Sequence, residues 1–198
     1  MMRHVPAGIL LAAACAFLVW RASPVLGNDP DFFWHLKAGE ATALSGSVPR
    51  QDPFSFTAKG ADWVAHEWLW ELAAYGVYRV GGYGLAAVLS ALVVTLTFGL
   101  LYRLLRQLGV NEYVALGLVL WAGLLAVPSI GVRPRELTHL FLVVYLGRLL
   151  LYRQGRIARL WALPAVMLVW VNVHGPFILG LAVLGVFVAG ATVGWLLR

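Results

Sequence analysis

The stretch NDPDFFWH, residues 28–35, opens a polar segment that the stretch HEWLWE, residues 66–71, closes. This segment holds seven of the nine acidic residues of the chain, which are Asp29, Asp31, Glu40, Asp52, Asp62, Glu67 and Glu71. It also carries four tryptophans, Trp34, Trp63, Trp68 and Trp70. Apolar runs flank the segment on both sides. We therefore predict a loop at a membrane surface first, and an active site as the second interpretation.

The composition places the chain among integral membrane proteins. Hydrophobic residues make up 61% of it and charged residues 12%, whereas charged residues make up about 25% of an average soluble domain. The formal net charge of +6 does not indicate nucleic-acid binding, because the basic residues sit at the ends of apolar runs, where a bilayer favours them. A single cysteine, Cys15, lies inside an apolar run and offers the loop no disulfide.

The apolar runs predict an all-α polytopic membrane protein that forms one membrane domain, 1–198. About six membrane-embedded helices are expected, with an outer loop over 23–82 that carries juxtamembrane helices. A crossing needs about 20 apolar residues, and 160–197 would measure about 57 Å as one helix, so the sequence Asn172-Val173-His174-Gly175-Pro176 must break it. The predicted spans are 5–22, 83–102, 113–132, 137–152, 160–172 and 177–197.

The first apolar run has a second interpretation. Ala12-Ala13-Ala14-Cys15 resembles a lipoprotein cleavage site, which would make the run part of a cleaved leader. Because apolar residues continue from Ala16 to Trp20, we favour a retained helix.

The arginines orient the predicted spans. An N-terminus in the cytoplasm puts seven of the fifteen basic residues on the inner side, in four groups at the ends of spans, as the positive-inside tendency expects; these are Arg3, Arg103, Arg106, Arg153, Arg156, Arg159 and Arg198. The same threading puts the acidic loop, the Arg133–Glu136 group and the Asn172–His174 group together on the outer side. We therefore expect these three groups to form one site.

Local signals divide the loop. Asn28, Asp29 and Pro30 predict a helix start that an acidic side chain caps, and Asp31 and His35 then share one helix face. Proline and glycine between Ser45 and Pro53 predict turns. A second helix is predicted over 63–80, with tryptophans suited to the headgroup layer.

Five motifs carry a resemblance to a known family: DPDFFWHLKAG (Asp29–Gly39), VPRQDPFS (Val48–Ser55), HEWL (His66–Leu69), Arg133-Pro134 and WVNVHG (Trp170–Gly175). They resemble bacterial multi-pass proteins related to the GT-C glycosyltransferases, and the resemblance covers nearly the whole chain. It implies a multi-pass protein of the bacterial inner (plasma) membrane. Its expected partners are membrane lipids and a polyprenyl-phosphate donor, from which it transfers a sugar. Since GT-C enzymes generally have more membrane helices, the chain is expected to be an N-terminal fragment or a reduced relative.

The resemblance also implies roles for residues. GT-C enzymes use an acidic residue just after the first membrane helix as a catalytic base or a metal ligand, a position that Asp31 matches, and Asp29 less closely. A divalent metal ion is compatible with this, although the spacing of the Asp, His and Glu residues matches no recognised metal signature. Arg133 and Arg135 are suited to the donor phosphate, since a guanidinium binds phosphate well. The remaining substrate-binding candidates are His35, His66, Glu67, His139, Asn172 and His174.

Each assignment has a structural alternative. Asp29 caps a helix in one interpretation, and Glu67 and Glu71 form a solvated face rather than a metal site. Arg133 and Arg135 contact lipid headgroups, while Asn172 and His174 satisfy a broken helix.

Two other functions remain open at this stage. One is a transporter half that works as a dimer, and the other is an inert membrane assembly subunit. Ionisable groups near the middle of the bilayer would favour the transporter.

Overall fold

The computed structural model describes residues 6–27 and 29–197. Arg3, Asn28 and Arg198, which the predictions above use, lie outside these residues. The described helices are α1 (Ala7–Gly27), α2 (Phe32–Ser45), α3 (Trp68–Gln107), α4 (Glu112–Ala126), α5 (Arg135–Arg153), α6 (Ala162–Trp170) and α7 (Ile178–Leu196). Short 3₁₀ helices follow α4 at Val127–Ser129 and precede α7 at Gly175–Phe177. The predicted all-helical class is confirmed.

Within the described residues, four segments are long and apolar enough to cross a membrane: Ala7–Pro24, Trp68–Gln107, Glu112–Ser129 and Gly175–Leu196. The predicted spans 137–152 and 160–172 are not among them. Helix α5 has 19 residues, but any 18-residue window of it includes Glu136, Arg148 and a third charged residue. Helix α6 has nine residues, which is about 14 Å and far less than a bilayer core.

The two helices predicted over 63–80 and 83–102 are both present, as the two halves of α3, and a sharp kink separates them. Gly81 has φ −143° and ψ 17°, and Gly82 has φ 64° and ψ −163°, a left-handed φ that glycine adopts without steric cost. The helix begins at Trp68 and not at 63, because the backbone before it is used elsewhere: the Trp63 N–H donates to the Arg50 carbonyl at 2.8 Å.

The main core lies where α1, α3 and α4 meet. Leu18 of α1 and Val119 of α4 are fully buried, and Val94 and Phe98 of α3 pack into the same cluster. Gly123 lets α4 approach α1 closely, since a Cβ there would collide with the Leu18 side chain. A second, smaller core joins α5, α6 and α7 around Tyr145 and Trp170. Most other apolar side chains of these helices face outward, as lipid-facing residues do.

Polar residues lie in two regions, one at each end of the helices. At one end, the Arg156 guanidinium donates to the Gln107 carbonyl, which joins the loop after α5 to the end of α3. At the other end, the start of α2 lies beside the start of α3, and the segments before α5 and before α7 reach the same place. The three polar groups that the sequence predicted to meet therefore do meet.

Helix α2 rests on the first half of α3 at Gly39. A Cβ at Gly39 would collide with the Glu71 carbonyl and lie 3.0 Å from the Tyr75 Cβ. Only a glycine permits this distance between the two backbones, and it brings the side chains of α2 next to Glu71.

We predict that Gly39→Ala lowers the free energy of unfolding by about 1–3 kcal/mol or more. Overpacking usually costs that much, and here the added Cβ would collide with the backbone carbonyl of Glu71. Gly76→Ala is the matched control, since a Cβ at Gly76 meets nothing within 4 Å. Thermal unfolding of the purified protein in detergent measures both variants. Equal melting temperatures for Gly39→Ala and Gly76→Ala would refute this account of the α2–α3 contact.

Candidate functional site

Arg133 binds two carboxylates from the start of the polar loop. Its Nε lies 2.7 Å from Asp29 Oδ2, and its Nη1 lies 2.5 Å from Asp31 Oδ2. The Asp29 side chain is fully buried, whereas 47% of the Asp31 side chain is exposed. One guanidinium thus holds a buried carboxylate on one side and an accessible carboxylate on the other. We call these three residues the arginine cluster.

Neighbouring segments fix the arginine cluster. The Asp29 N–H donates to the Tyr83 hydroxyl at 2.8 Å, just after the kink of α3. The second Asp29 oxygen, Oδ1, accepts from the Asp31 N–H at 3.1 Å. Ile130 and Val132 are buried and anchor the turn that presents Arg133. The hydrogen bond to Asp29 and the two negative charges raise the pKa of Arg133, so the guanidinium stays charged.

The predicted acidic cap at the start of α2 is made by Asp29, although the helix itself begins at Phe32. Helix α2 begins at Phe32 with Asp31 as its N-cap, and the Asp31 side chain makes no capping hydrogen bond. Asp29 instead binds the Asp31 N–H with its side chain and the Phe32 N–H, at 3.3 Å, with its carbonyl. Since both Asp29 oxygens are bonded and buried, its geometry favours holding the cluster rather than catalysis.

A second cluster lies one helical turn along α2. His35 Nδ1 is 3.0 Å from Glu71 Oε1 and 3.7 Å from Glu67 Oε2. His35 and Glu71 are buried, and 14% of the Glu67 side chain is exposed. Trp34 lies 3.7 Å from the His35 ring, centroid to centroid, and Trp70 meets that ring edge-on at 5.1 Å. We call His35, Glu67 and Glu71 the histidine–glutamate cluster.

Glu67 is the most connected member of this cluster. Besides His35, its carboxylate faces His66 Nε2 at 3.7 Å and His174 Nε2 at 3.5 Å. Burial raises the pKa of Glu67 more than the nearby histidines lower it. A cation at this position would oppose that shift and favour the ionised carboxylate.

His174 joins the cluster to the second core. Burial, helped by the nearby His66 and Arg135, lowers the pKa of His174 to about 4, so the ring is neutral at pH 7. The Trp170 Nε1–H donates to Thr138 Oγ1 at 2.9 Å, and Thr138 Oγ1 lies 2.8 Å from His174 Nδ1. We assign the proton of His174 to Nε2, because the Thr138 hydroxyl can then donate to Nδ1 while Nε2–H faces Glu67.

The other predicted residues differ in their surroundings. Asn172 is used structurally: its Oδ1 accepts from Trp68 Nε1 at 2.9 Å, and its carbonyl accepts from the Leu69 N–H at 3.1 Å. His139 is 39% exposed and lies 3.6 Å from the buried Glu136. Arg135 is half-buried, and its Nε has no hydrogen-bond partner among the residues that the structure describes.

Several site residues were missed or left undecided by the sequence. Glu71 carried a signal, since it follows Glu67 by four residues and shares its helix face. Glu136 is buried, and its Oε1 accepts from the Gly131 N–H at 3.0 Å. Tyr83 and Thr138 carry no local signal, because their roles depend on contacts between distant segments.

The fold and the two clusters define a class: an all-helical protein with apolar helices long enough to span a membrane and a concentrated group of ionisable residues at one end of them. Comparisons with models of protein families, with curated proteins and with solved structures found no match.

We predict that Arg133→Gln costs about 3–5 kcal/mol of stability, the usual effect of leaving a buried charge unpaired. Asp31→Asn breaks the other half of the same cluster, but its half-exposed carboxylate should change stability by less than about 1 kcal/mol. Thermal unfolding in detergent measures both variants. Equal losses would contradict the division of the cluster into a buried side and an accessible side.

Proposed function

We propose that this chain is a membrane enzyme that transfers a sugar from a polyprenyl-phosphate donor to an acceptor hydroxyl or amine. The reaction takes place at the outer surface of the bacterial plasma membrane. The N-terminus lies in the cytoplasm, and α5 and α6 are embedded in the membrane beside the four longer spans. The observation that carries the proposal is the accessible Asp31 carboxylate, which Arg133 holds in place at the polar ends of apolar helices.

Asp31 is the proposed general base. The acceptor O–H or N–H gives its proton to Asp31, the acceptor atom bonds to the anomeric carbon, and the bond from that carbon to the donor phosphate oxygen breaks. The lipid phosphate leaves with the electron pair. Arg133 keeps the base in position, and Asp29 keeps Arg133 in position.

Arg135 is the proposed ligand of the donor phosphate. Arg133 already neutralises two carboxylates, which leaves it less positive charge to offer a phosphate. Arg135 makes no ion pair with a carboxylate among the described residues, and its Nε–H is buried without an acceptor there. A phosphate oxygen would satisfy this donor.

The position of the ionisable groups supports an interfacial enzyme over a transporter half. Transporters place ionisable residues near the middle of the bilayer. Here Asp31 and Glu67 lie between the first and second candidate spans, and Arg133 lies between the third and fourth. A lipid-linked donor would meet these groups while its hydrocarbon chain lies along the exposed apolar helices.

We predict that Asp31→Asn lowers the rate of transfer about 10²–10⁴-fold, because the amide keeps the size of the side chain but cannot accept the proton. The measurement is transfer from radiolabelled polyprenyl-phosphate sugars by the chain in reconstituted membranes. Asp62→Asn, in the same loop and exposed, is the matched control.

The same assay distinguishes the arginines. Arg135→Gln should raise the apparent KM for the donor, whereas Arg50→Gln, an exposed arginine of the loop, should not. Transfer at the wild-type rate by Asp31→Asn would overturn the catalytic assignment. A wild-type chain that transfers none of a broad panel of donors would favour the assembly-subunit or transporter alternatives.

The orientation makes a separate prediction. In a Cys15→Ser background, a membrane-impermeant thiol reagent added to intact spheroplasts should label Ser47→Cys, in the exposed loop after α2. It should not label Gln154→Cys, in the exposed turn after α5, until the membrane is permeabilised. The reverse pattern would place the site in the cytoplasm.

A further inference from the structure

The histidine–glutamate cluster presents three ligand atoms to one point. One imidazole nitrogen and two carboxylate oxygens, from His35, Glu67 and Glu71, all lie within 4.8 Å of one another. Two of the separations are 3.0 Å and 3.7 Å. Four ligands at about 2.0–2.2 Å from a tetrahedral zinc ion are about 3.4 Å apart, so only small side-chain movements separate this arrangement from a metal site.

A second observation points to a ligand. Glu71 is 2% exposed, and its Oε2 is buried without a hydrogen-bond partner among the described residues. Its other oxygen already faces His35. A buried carboxylate oxygen with no donor is costly, and neither the helix nor the aromatic rings around His35 relieve that cost. A bound cation would.

The charge of the cluster also fits a divalent cation. As metal ligands, two carboxylates and one imidazole would supply a formal charge of −2, and the Trp34 and Trp70 rings lie against the His35 ring. A divalent ion would bring the formal sum to zero. The imidazole ligand favours a first-row transition metal over Mg²⁺ or Ca²⁺, which prefer sites made of oxygen alone.

We propose that His35, Glu67 and Glu71 bind a divalent first-row transition metal, with Zn²⁺ as the representative ion. The Gly39 contact sets the site, because it brings the backbone of α2 against the Glu71 carbonyl. His174 lies outside the ligand set, with its Nε2 3.5 Å from Glu67 Oε1. This site is separate from Asp31, and the proposal does not depend on the sugar-transfer reaction.

The test is direct metal binding by the full chain, purified in detergent with its affinity tag removed and its metals stripped by a chelator. Titration with Co²⁺ is followed by visible absorption, and Zn²⁺ content is measured by elemental analysis. We expect about one equivalent of Co²⁺, displaced by Zn²⁺ but not by excess Mg²⁺. Zn²⁺ should also raise the melting temperature of the wild-type protein.

Glu71→Gln and Glu67→Gln preserve the shape of the side chain and remove a negatively charged ligand. Each should weaken metal binding at least about tenfold, because residues that only hold a ligand in place already contribute about that much. Glu40→Gln is the matched control, because Glu40 lies on α2 but pairs with the exposed Lys37. Near-ultraviolet circular dichroism checks that the variants fold. If a variant does not fold, the Co²⁺ titration of the wild-type protein alone tests the proposal. The absence of saturable Co²⁺ binding by the wild type would overturn the proposal, as would unchanged affinity in folded Glu71→Gln or displacement of Co²⁺ by Mg²⁺. Either of the first two results would leave His35 and Glu71 as a hydrogen-bonded pair only, and the third would indicate a cation site without preference for a transition metal.

Discussion

The buried carboxylate of Asp29 is the constraint on which the polar end of this protein depends. An ionised carboxylate removed from water loses several kcal/mol of solvation, which only a close cation and further hydrogen bonds offset. Arg133 supplies the cation, and the Asp31 N–H supplies a hydrogen bond. Since Asp29 lies between α1 and α2 while Arg133 lies between α4 and α5, this one ion pair joins two segments that are 104 residues apart.

The same ion pair positions the rest of the site. Asp31 and His35 are one helical turn apart, and the His35 N–H donates to the Asp31 carbonyl at 3.4 Å. Fixing the start of α2 through Arg133 therefore also fixes His35 against Glu71 on α3. The close contact at Gly39 holds the next turn of α2 in place. The accessible carboxylate and the histidine–glutamate cluster are in this way two consequences of one helix placement.

The sequence predicted the helices well, because long apolar runs leave a membrane chain few other ways to satisfy its backbone. It also predicted that the segments around Asp31, Arg133 and His174 would meet, since the distribution of arginines orders the spans. Of the roughly six spans that the sequence predicted, four are long and apolar enough among the described helices; α5 is interrupted by charge and α6 is short. Whether such a run qualifies as a span depends on its length and on the charges within it, and not on its apolar character alone.

The side-chain partners were less predictable. Asp29 resembled an ordinary helix cap, and only the structure shows it paired with a distant arginine. Arg133 and Arg135 look equivalent in sequence, yet one is bound by two carboxylates and the other has a buried donor without a partner. Glu71 was equally consistent with a solvated face and a metal ligand. Contacts between segments far apart in sequence decide each of these cases.

A double-mutant cycle between Asp29 and Arg133 tests the central claim most directly. The free energy of unfolding is measured for the wild type, Asp29→Asn, Arg133→Gln and the double variant under the same detergent conditions. If the buried ion pair organises this end of the protein, the double variant will be more stable than the sum of the single losses implies, with a coupling toward the upper end of the usual 0.5–3 kcal/mol range, or about 2–3 kcal/mol. Losses that add to within about 0.5 kcal/mol would contradict the account, because independent sites behave in that way.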